Sequence, residues 1–370
     1  MNEVKKWTIL IYADGNNEMI DVIYKNMLDC EKSGSNENVN VIMQIGLIDS
    51  NKAISVNNWI GVRRYYIKNP ISYLIEDLGK INMADPNNLY KFIKWGFDNY
   101  KAEKYMIVLS DHGSNFIGCM TDLSLNASYI MGIPEMIEAI NSAGKSSKCE
   151  IDTLVLDMCY MNSVEIVYEL AQYNKSAVKS MVTYISHAPY EGLPYDKFLS
   201  LVTKHSNIHG LNLFLKHLME ELNLSLIAYE INHEKLEKIK SLFNDFAYLY
   251  IHNKDTQDLS LSDLIRNPNS ESKFYGFIKN INESLLSIVI YSNEDFKGIK
   301  NSIEIISEDI TSLISFYFKL YFAKNNHWIN LLTTDSLGFN LLPKNKVNVR
   351  PETSSEPILH YILPFRKQSL

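Results

Sequence analysis

Short, continuously apolar runs recur along the first half of the chain, with amphipathic stretches between them. Such runs are typical of parallel strands that are buried on both faces of a sheet. We therefore predict five core strands, at 7–13, 39–45, 105–110, 153–156 and 181–185.

Apolar residues at helical spacing predict helices between these strands. One helix begins near Ile20 and stops at Gly34, and another follows the N-cap and first-turn pair Asp85-Pro86. A third helix ends at Gly144. This alternation predicts an α/β fold in which helices flank a mostly parallel central sheet. Ligands of such sheets bind at the carboxyl ends of the strands, so functional residues are expected directly after the apolar runs.

The remaining segments carry weaker patterns. We expect a hairpin strand within 59–67, a strand at 224–231 and a helix whose apolar face runs from Leu236 to Tyr250. Residues 254–300 are polar and rich in asparagine, and a further helix is predicted over 301–323. These patterns predict a main domain over 1–253 and a smaller, mainly helical part over 254–370.

Composition and charge exclude several classes of function. Hydrophobic residues make up 46% of the chain and the net charge is -7, so no basic surplus indicates nucleic-acid binding as a main role. No apolar run reaches the length of a membrane span and no export signal is recognised, so we expect a cytoplasmic protein without membrane contact. The cysteines show no CxxC spacing, so no zinc site is expected.

Reactive side chains follow two of the predicted strands. His112 and Gly113 come directly after the run at 105–110, and Cys159 follows the run at 153–156. Cysteine chemistry needs a thiolate and a nearby proton carrier, and a histidine titrates in the right range for that task. Gly113 lets the backbone approach a substrate carbonyl closely, so its N–H is suited to an oxyanion hole.

A helix is predicted shortly after Cys159. Asn162 and Glu165 make a capping-box pair, which places the start of that helix near Asn162. Since a helix N-terminus beside a cysteine stabilises the thiolate, we expect a stabilised thiolate at this position.

Each of these residues also has an ordinary structural interpretation. A lone His-Gly pair at a strand end is usually a loop histidine, a single cysteine is more often a small buried hydrophobe, and Asp157 alone would brace a turn. Together, at two strand ends of one sheet, they favour catalysis. The chain has neither a GxGxxG pattern nor a P-loop, which argues against a nucleotide-binding α/β protein.

Three blocks of sequence and one loop resemble the clostripain family of clan CD cysteine peptidases. The blocks are KWTILIYADGNNEM, GKINMADPNNLYKFIKWGFDNYKAEKYMIVLSDHG and IDTLVLDMCYMNSVEIVYEL, and the loop is PYEGLPY at 189–195. The resemblance extends from about residue 5 to about residue 250. It implies a caspase-like α/β fold and an endopeptidase that acts on peptide or protein substrates.

The resemblance also implies roles for individual residues. His112 matches the catalytic histidine, and Cys159 matches the nucleophile that forms a thioester with the substrate. The N–H groups of Gly113 and Cys159 match the oxyanion hole. Asp157 matches an acidic residue of the primary specificity pocket, which implies cleavage after Arg and, in some members, Lys.

Other positions match the family less closely. Ser186, His187 and Glu191 fall in a region that contacts substrate, although relatives often have an acidic residue or an amide at the position of His187. Ser110 stands where relatives usually have Trp. These departures keep open a second interpretation, in which the chain is a catalytically weak or inactive clan CD scaffold that binds protein partners.

Three further properties of the family bear on this chain. Its members are often secreted, which is the alternative to a cytoplasmic protein. Some depend on calcium, but the sequence shows no EF-hand-like ligand set and no other cofactor is expected. Some relatives mature by cutting themselves between the His and Cys strands. No Lys or Arg lies between 105 and 144, so we expect an active, uncut chain.

Overall fold

The structure is a computed structural model of the 370-residue chain. It describes residues 4–48, 59–125, 127–172, 176–185, 187–253, 264, 272–295, 298, 316–328 and 356–357. The strands, numbered along the chain, are β1 (Lys5–Gly15), β2 (Val39–Leu47), β3 (Gly61–Tyr66), β4 (Tyr73–Gly79), β5 (Ala102–Ser110), β6 (Cys119–Asp122), β7 (Tyr129–Met131), β8 (Thr153–Asp157), β9 (Ser180–Tyr184), β10 (Leu226–Glu230), β11 (Val289–Ser292) and β12 (Glu356–Pro357).

One large sheet organises the described part of the chain. Its nine strands lie in the order β11-β10-β9-β8-β5-β1-β2-β3-β4. The five neighbours β9, β8, β5, β1 and β2 run parallel, and they are the strands predicted from the apolar runs. Antiparallel strands extend the sheet at both ends. The predicted α/β fold class with a mostly parallel sheet is therefore confirmed.

The strand order has two features that bear on function. It reverses direction between β1 and β5, which is the kind of switch point where α/β sheets bind ligands. In addition, β1 to β5 all lie on one side of the β5–β8 boundary and β8 to β11 lie on the other. The two halves of the main sheet therefore come from two consecutive halves of the chain.

Helices cover both faces of the sheet. Apolar side chains of α1 (Ile20–Ser33), α5 (Tyr195–Lys204) and α6 (Leu211–Leu222) pack into the core on one face. The other face is covered by α2 (Pro86–Asn99), α3 (Ile133–Ser147), α4 (Val164–Ala171), α7 (His233–His252) and α8 (Lys273–Leu286). Burial on both faces explains why the central strands are continuously apolar.

Two of the predicted helix boundaries are confirmed and one is wrong. Gly34 caps the C-terminus of α1, and the side chain of Asp85 caps α2 by accepting a hydrogen bond from the Asn87 N–H at 2.8 Å. The predicted end at Gly144 is wrong, because α3 continues to Ser147. A Cβ on Gly144 would lie 2.6 Å from the Cβ of Ala177, so this glycine serves close packing rather than helix termination.

The weaker sequence patterns are confirmed in part. The segment 59–67 contains β3, 224–231 contains β10, and the predicted apolar helix is α7. Residues 301–315 of the helix predicted over 301–323 lie outside the described residues. Residues 316 and 317 are helical, and 318–323 form turns and a bend. β11 joins the main sheet from beyond residue 253, and the division of the chain there stays a prediction.

A small second sheet, in the order β12-β7-β6, follows the His112 segment in the chain. A 3₁₀ turn at Asn115–Ile117 connects that segment to β6. No helix in the described ranges is both long and apolar enough to cross a membrane.

Candidate active site

His112 and Cys159 follow the carboxyl ends of adjacent parallel strands. Ser110, the last residue of β5, pairs with Asp157, the last residue of β8. Each reactive side chain comes two residues after its member of this pair. The register therefore brings the two segments that the sequence singles out to one edge of the sheet.

These two segments are in contact at Gly113. A Cβ built on Gly113 would collide with the carbonyl oxygen of Cys159 and would lie 2.9 Å from the sulfur of Met161. Only glycine fits between the two chain segments, so close backbone approach explains its position in the sequence.

The surroundings of His112 favour its protonated form. Burial lowers the pKa of the imidazole, but contact with Glu18 and the charge of Asp111 outweigh burial, so the pKa is raised overall. The Nε2 atom of His112 lies 3.1 Å from Oε1 of Glu18, and this contact lowers the pKa of Glu18. Burial raises the pKa of Asp111 to about 7, in spite of the neighbouring His112.

The expectation of a stabilised thiolate at Cys159 is wrong for the resting protein. Burial raises the pKa of the thiol, a hydrogen bond from the Ala188 N–H partly offsets the rise, and the charge of Asp157 adds to it. The resting group is therefore a thiol, which must lose its proton during any reaction in which the sulfur is a nucleophile.

The helix after the thiol begins later than the sequence predicts. The N-cap of α4 is Ser163, whose hydroxyl accepts a hydrogen bond from the Ile166 N–H at 3.3 Å. The predicted cap, Asn162, instead donates to the Ile185 carbonyl at 2.9 Å and accepts from the Tyr229 hydroxyl at 2.7 Å. Both residues are good N-caps, and tertiary hydrogen bonds decide between them.

Asp157 is a buried carboxylate, with 3% of its surface exposed. Among the described residues it accepts hydrogen bonds at 2.8 to 3.0 Å from the hydroxyls of Ser110, Tyr184 and Tyr195 and from the Leu193 N–H. Burial raises the pKa of Asp157, and these hydrogen bonds limit the rise. All these donors are neutral, so the charge of the ionised carboxylate is solvated by dipoles rather than by a cation.

A loop over residues 187–193 connects Asp157 to the thiol. The Leu193 N–H binds the carboxylate and the Ala188 N–H binds the sulfur. Gly192 has φ +69, and a Cβ there would lie 2.8 Å from Oδ2 of Asp157. A side chain at this position would press on the carboxylate, so glycine allows the loop backbone to pack closely against it.

The remaining predicted site residues have unequal positions. His187 Nε2 lies 2.7 Å from the hydroxyl of Tyr160, and the two rings meet edge to face at 4.7 Å. Tyr160, directly after the thiol residue, adopts φ +62 and is 40% exposed. Glu191 is exposed in the loop, and Ser186 lies outside the described residues.

Sequence reasoning missed several partners of these residues. Glu18, beside His112, comes three residues after the end of β1. The expectation that functional residues follow the apolar strands therefore already pointed to its segment. Ser110, which departs from the family pattern, is a hydrogen-bond donor to Asp157. Tyr195 opens α5, and no local pattern indicates that its hydroxyl reaches the carboxylate.

Comparison with known proteins assigns this arrangement to a family. The model described as "Clostripain family" matches residues 11–264. The chain belongs to the clostripain family. Clostripain of Hathewaya histolytica is 24% identical over 231 residues, which are 54% of this chain and 43% of clostripain. The match thus spans less than half of that relative's length.

Solved structures of the family show the same fold. A secreted C11 cysteine protease from Bacteroides thetaiotaomicron, in complex with an irreversible peptide inhibitor, has a TM-score of 0.56 and 16% identity, covering 78% of this chain and 84% of its own. An inactive zymogen C11 protease from Parabacteroides distasonis has a TM-score of 0.58 and 14% identity, covering 88% and 99%. The caspase-like fold is therefore confirmed, and the chain is a member of a cysteine protease family.

Metal binding receives no further support from the site. Within the described ranges, no three His, Cys, Asp or Glu side chains are grouped so that they could hold a metal ion. The expectation that no cofactor is required stays a prediction, and calcium dependence is implied for this chain only by the family resemblance.

Proposed function

We propose that this protein is a cysteine endopeptidase that cleaves peptide bonds after Arg or Lys, with Cys159 as the nucleophile and His112 as the proton carrier. The observation that carries the proposal is the β5–β8 register, which ends on Ser110 and Asp157 and brings both reactive segments to one edge of the sheet. The contact between Gly113 and the Cys159 backbone supports it, because that contact leaves no side chain between the two segments.

The reaction begins with a proton transfer. The pKa of the Cys159 thiol is raised, so its proton moves to His112 as the sulfur attacks the substrate carbonyl carbon. The oxyanion that forms accepts hydrogen bonds from the N–H groups of Gly113 and Cys159. The C–N bond then breaks, the leaving nitrogen takes the proton from His112, and the acyl group stays on the sulfur as a thioester.

Hydrolysis of the thioester restores the protein. His112 accepts a proton from a water molecule, whose oxygen attacks the acyl carbon. The C–S bond breaks with its electron pair on the sulfur, the acid product leaves, and the proton returns from His112 to Cys159. The raised pKa of His112 makes its neutral imidazole a stronger base, which suits the step in which it accepts the proton of Cys159.

Preference for a basic side chain rests on Asp157. A buried carboxylate that is solvated only by neutral donors gains strongly from an arriving guanidinium or ammonium group. Gly192 has no side chain to stand between the loop and Oδ2 of Asp157. A neutral substrate side chain near this carboxylate leaves the charge without a cation, which disfavours its binding.

A covalent probe tests the proposal directly. A peptidyl acyloxymethyl ketone with Arg or Lys before the ketone should add the mass of one peptidyl methyl ketone group to the wild-type protein, because the thiol displaces the acyloxy group as a carboxylate. Peptide mapping should place this group on Cys159. The matched control is Cys149→Ala, since Cys149 is a free thiol of intermediate exposure that lies before β8 rather than after it. This variant should still react, whereas a folded Cys159→Ala should not.

The alternative, an inactive scaffold, makes a different prediction for the same experiment. A folded wild type that takes up no probe and cleaves no basic peptide contradicts the peptidase function and leaves the scaffold. His112→Ala should lose nearly as much turnover as Cys159→Ala, and the double variant should be little worse, because residues that act as a unit show non-additive losses.

A further inference from the structure

Glu18 lies in the turn that connects β1 to α1, at the switch point of the sheet. β1 ends at Gly15 and α1 begins at Ile20. In the sheet β1 is the neighbour of β5, whose end leads to His112. The side chain of Glu18 is 65% exposed, and its Oε1 atom lies 3.1 Å from Nε2 of His112.

The turn itself is fixed to the backbone around the histidine. The side-chain amide of Asn17 donates to Oδ1 of Asp111 and to the carbonyl oxygen of Thr121, each at 2.7 Å. The Met19 N–H donates to Oδ1 of Asn17 at 2.8 Å. Glu18 is therefore held between two anchored residues, and its carboxylate is placed by the fold rather than by a flexible loop.

Folding stability does not account for this contact. An ion pair with one largely exposed partner contributes little to the stability of a protein, because water screens it and the side chain loses freedom. The contact does bear on the imidazole, however, since a carboxylate oxygen 3.1 Å from Nε2 favours a proton on that nitrogen.

We propose that Glu18 is a positioning residue for the proposed peptidase reaction: it holds the imidazole of His112 through Nε2, so that Nδ1 exchanges the proton with Cys159. This role rests on the proposed function. Glu18 does not touch the substrate in this scheme, and its contribution is the orientation and charge of the histidine.

The charges around His112 agree with this role. They are Glu18 from the β1–α1 turn and Asp111 directly after β5, while Asp14 lies near both Asp111 and Asp122. Burial lowers the pKa of His112, and Glu18 and Asp111 raise it. Removal of the Glu18 charge should therefore move the titration of His112 to lower pH.

Glu18→Gln is the informative variant, because glutamine keeps the shape of the side chain and removes the charge. We expect kcat on a basic peptide to fall roughly tenfold, with KM changed less than about twofold. The kcat of Glu18→Asp, which keeps the charge on a shorter side chain, should lie between those of the wild type and Glu18→Gln. The matched control is Glu37→Gln. It removes an exposed carboxylate just before β2, at the amino ends of the parallel strands and so at the edge of the sheet opposite to His112.

A second measurement does not depend on turnover. In a Cys159→Ala background, NMR of labelled histidine identifies the His112 signal by its loss in His112→Ala, and pH titration should show a lower midpoint in Glu18→Gln. An unchanged midpoint overturns the proposal whatever the activity. Unchanged kcat in Glu18→Gln overturns the positioning role. A lower midpoint in a protein whose wild type cleaves nothing overturns the peptidase function, and with it the role in turnover, but not the ion pair.

Discussion

At the scale of a single residue, Asp157 is a hydrogen-bond hub, and we propose that its charge also sets the preference for basic substrates. Asp157→Asn keeps the shape of the side chain and removes the charge. The loss of a charge-assisted contact corresponds to about 2–3 kcal/mol, or roughly 100-fold in kcat/KM on Arg and Lys substrates. Matched peptides with a neutral residue before the cleaved bond should lose much less. Steady-state kinetics on both series measures the difference.

Ser110→Ala is the control for that experiment. It removes one donor to Asp157, at 3.0 Å, but leaves the carboxylate charged. We expect a stability loss of about 1 kcal/mol in urea unfolding and equal effects on basic and neutral substrates. If Asp157→Asn also lost activity equally on basic and neutral substrates, Asp157 would only brace the neighbouring loop and would not select substrates.

Single residues also show how far sequence reasoning reaches. The expectation that functional residues follow the apolar strands was sufficient to select His112 and Cys159, because parallel sheets bind ligands at the carboxyl ends of their strands. The sequence did not predict the raised pKa of the thiol, which depends on burial of the sulfur in the folded chain and on the charge of Asp157. The pairing of Tyr160 with His187 is likewise a tertiary contact without a local signal.

At the scale of elements, the start of α4 gives a test of two neighbouring side chains. Ser163→Ala removes the helix cap and a contact of the Ser163 hydroxyl with the Glu165 carboxyl group, and it should cost about 1 kcal/mol of unfolding free energy. Asn162→Ala removes the hydrogen bonds to Ile185 and Tyr229 and leaves both groups buried without that partner, so it should cost more, about 2–3 kcal/mol. Urea unfolding of both variants decides the order, and a reversed order would contradict the observed capping.

A buried acid on the same helix predicts a pH dependence of stability. Glu169 accepts a hydrogen bond from the Phe322 N–H at 2.9 Å, and burial raises its pKa from 4.5 to about 7. Because the pKa of Glu169 is raised on folding, the stability that this group contributes is fully present below about pH 4.5 and is lost as the pH rises through about 7. The shift corresponds to about 3 kcal/mol.

Glu169→Gln keeps an acceptor oxygen and cannot ionise, so its stability should vary less between pH 4.5 and 7.5 than that of the wild type. Urea unfolding at several pH values in this window measures the effect. Glu234→Gln, on the exposed start of α7, is the control and should follow the wild-type curve. A parallel curve for Glu169→Gln would show that this carboxyl group does not titrate on unfolding.

A strand or helix could be predicted from the sequence where its residues are buried in a regular pattern. The five parallel strands lie between two helical layers, so their sequences carry an unbroken apolar signal. β4 was not predicted, because most of its residues are exposed at the edge of the sheet. α3 extends beyond Gly144 because that glycine packs against Ala177, a reason that no local pattern reveals.

At the scale of the whole molecule, we predict that the chain is active without being cut. Residues 105–144 contain no Lys or Arg, and Lys145 lies in the last turn of α3. Cleavage at a residue within a packed helix requires local unfolding, which disfavours it. Intact-mass measurement before and after incubation, compared with Cys159→Ala, should show one full-length species with full activity. Activity that appears only after a Cys159-dependent cut would contradict this prediction.

The boundary between β5 and β8 has a consequence for how the protein can be assembled. Every main-sheet strand before Lys148 lies on the β5 side, every one after it on the β8 side, and each side brings one of the two reactive residues. Two separately synthesised polypeptides, 1–147 and 148–370, would thus each lack one residue of the proposed dyad. They would meet along the β5–β8 and β7–β12 strand pairs and between helices such as α1 and α5. The activity of a mixture would rise with the product of the two fragment concentrations. If each fragment were fused to a different protein, peptidase activity would measure the association of those two proteins.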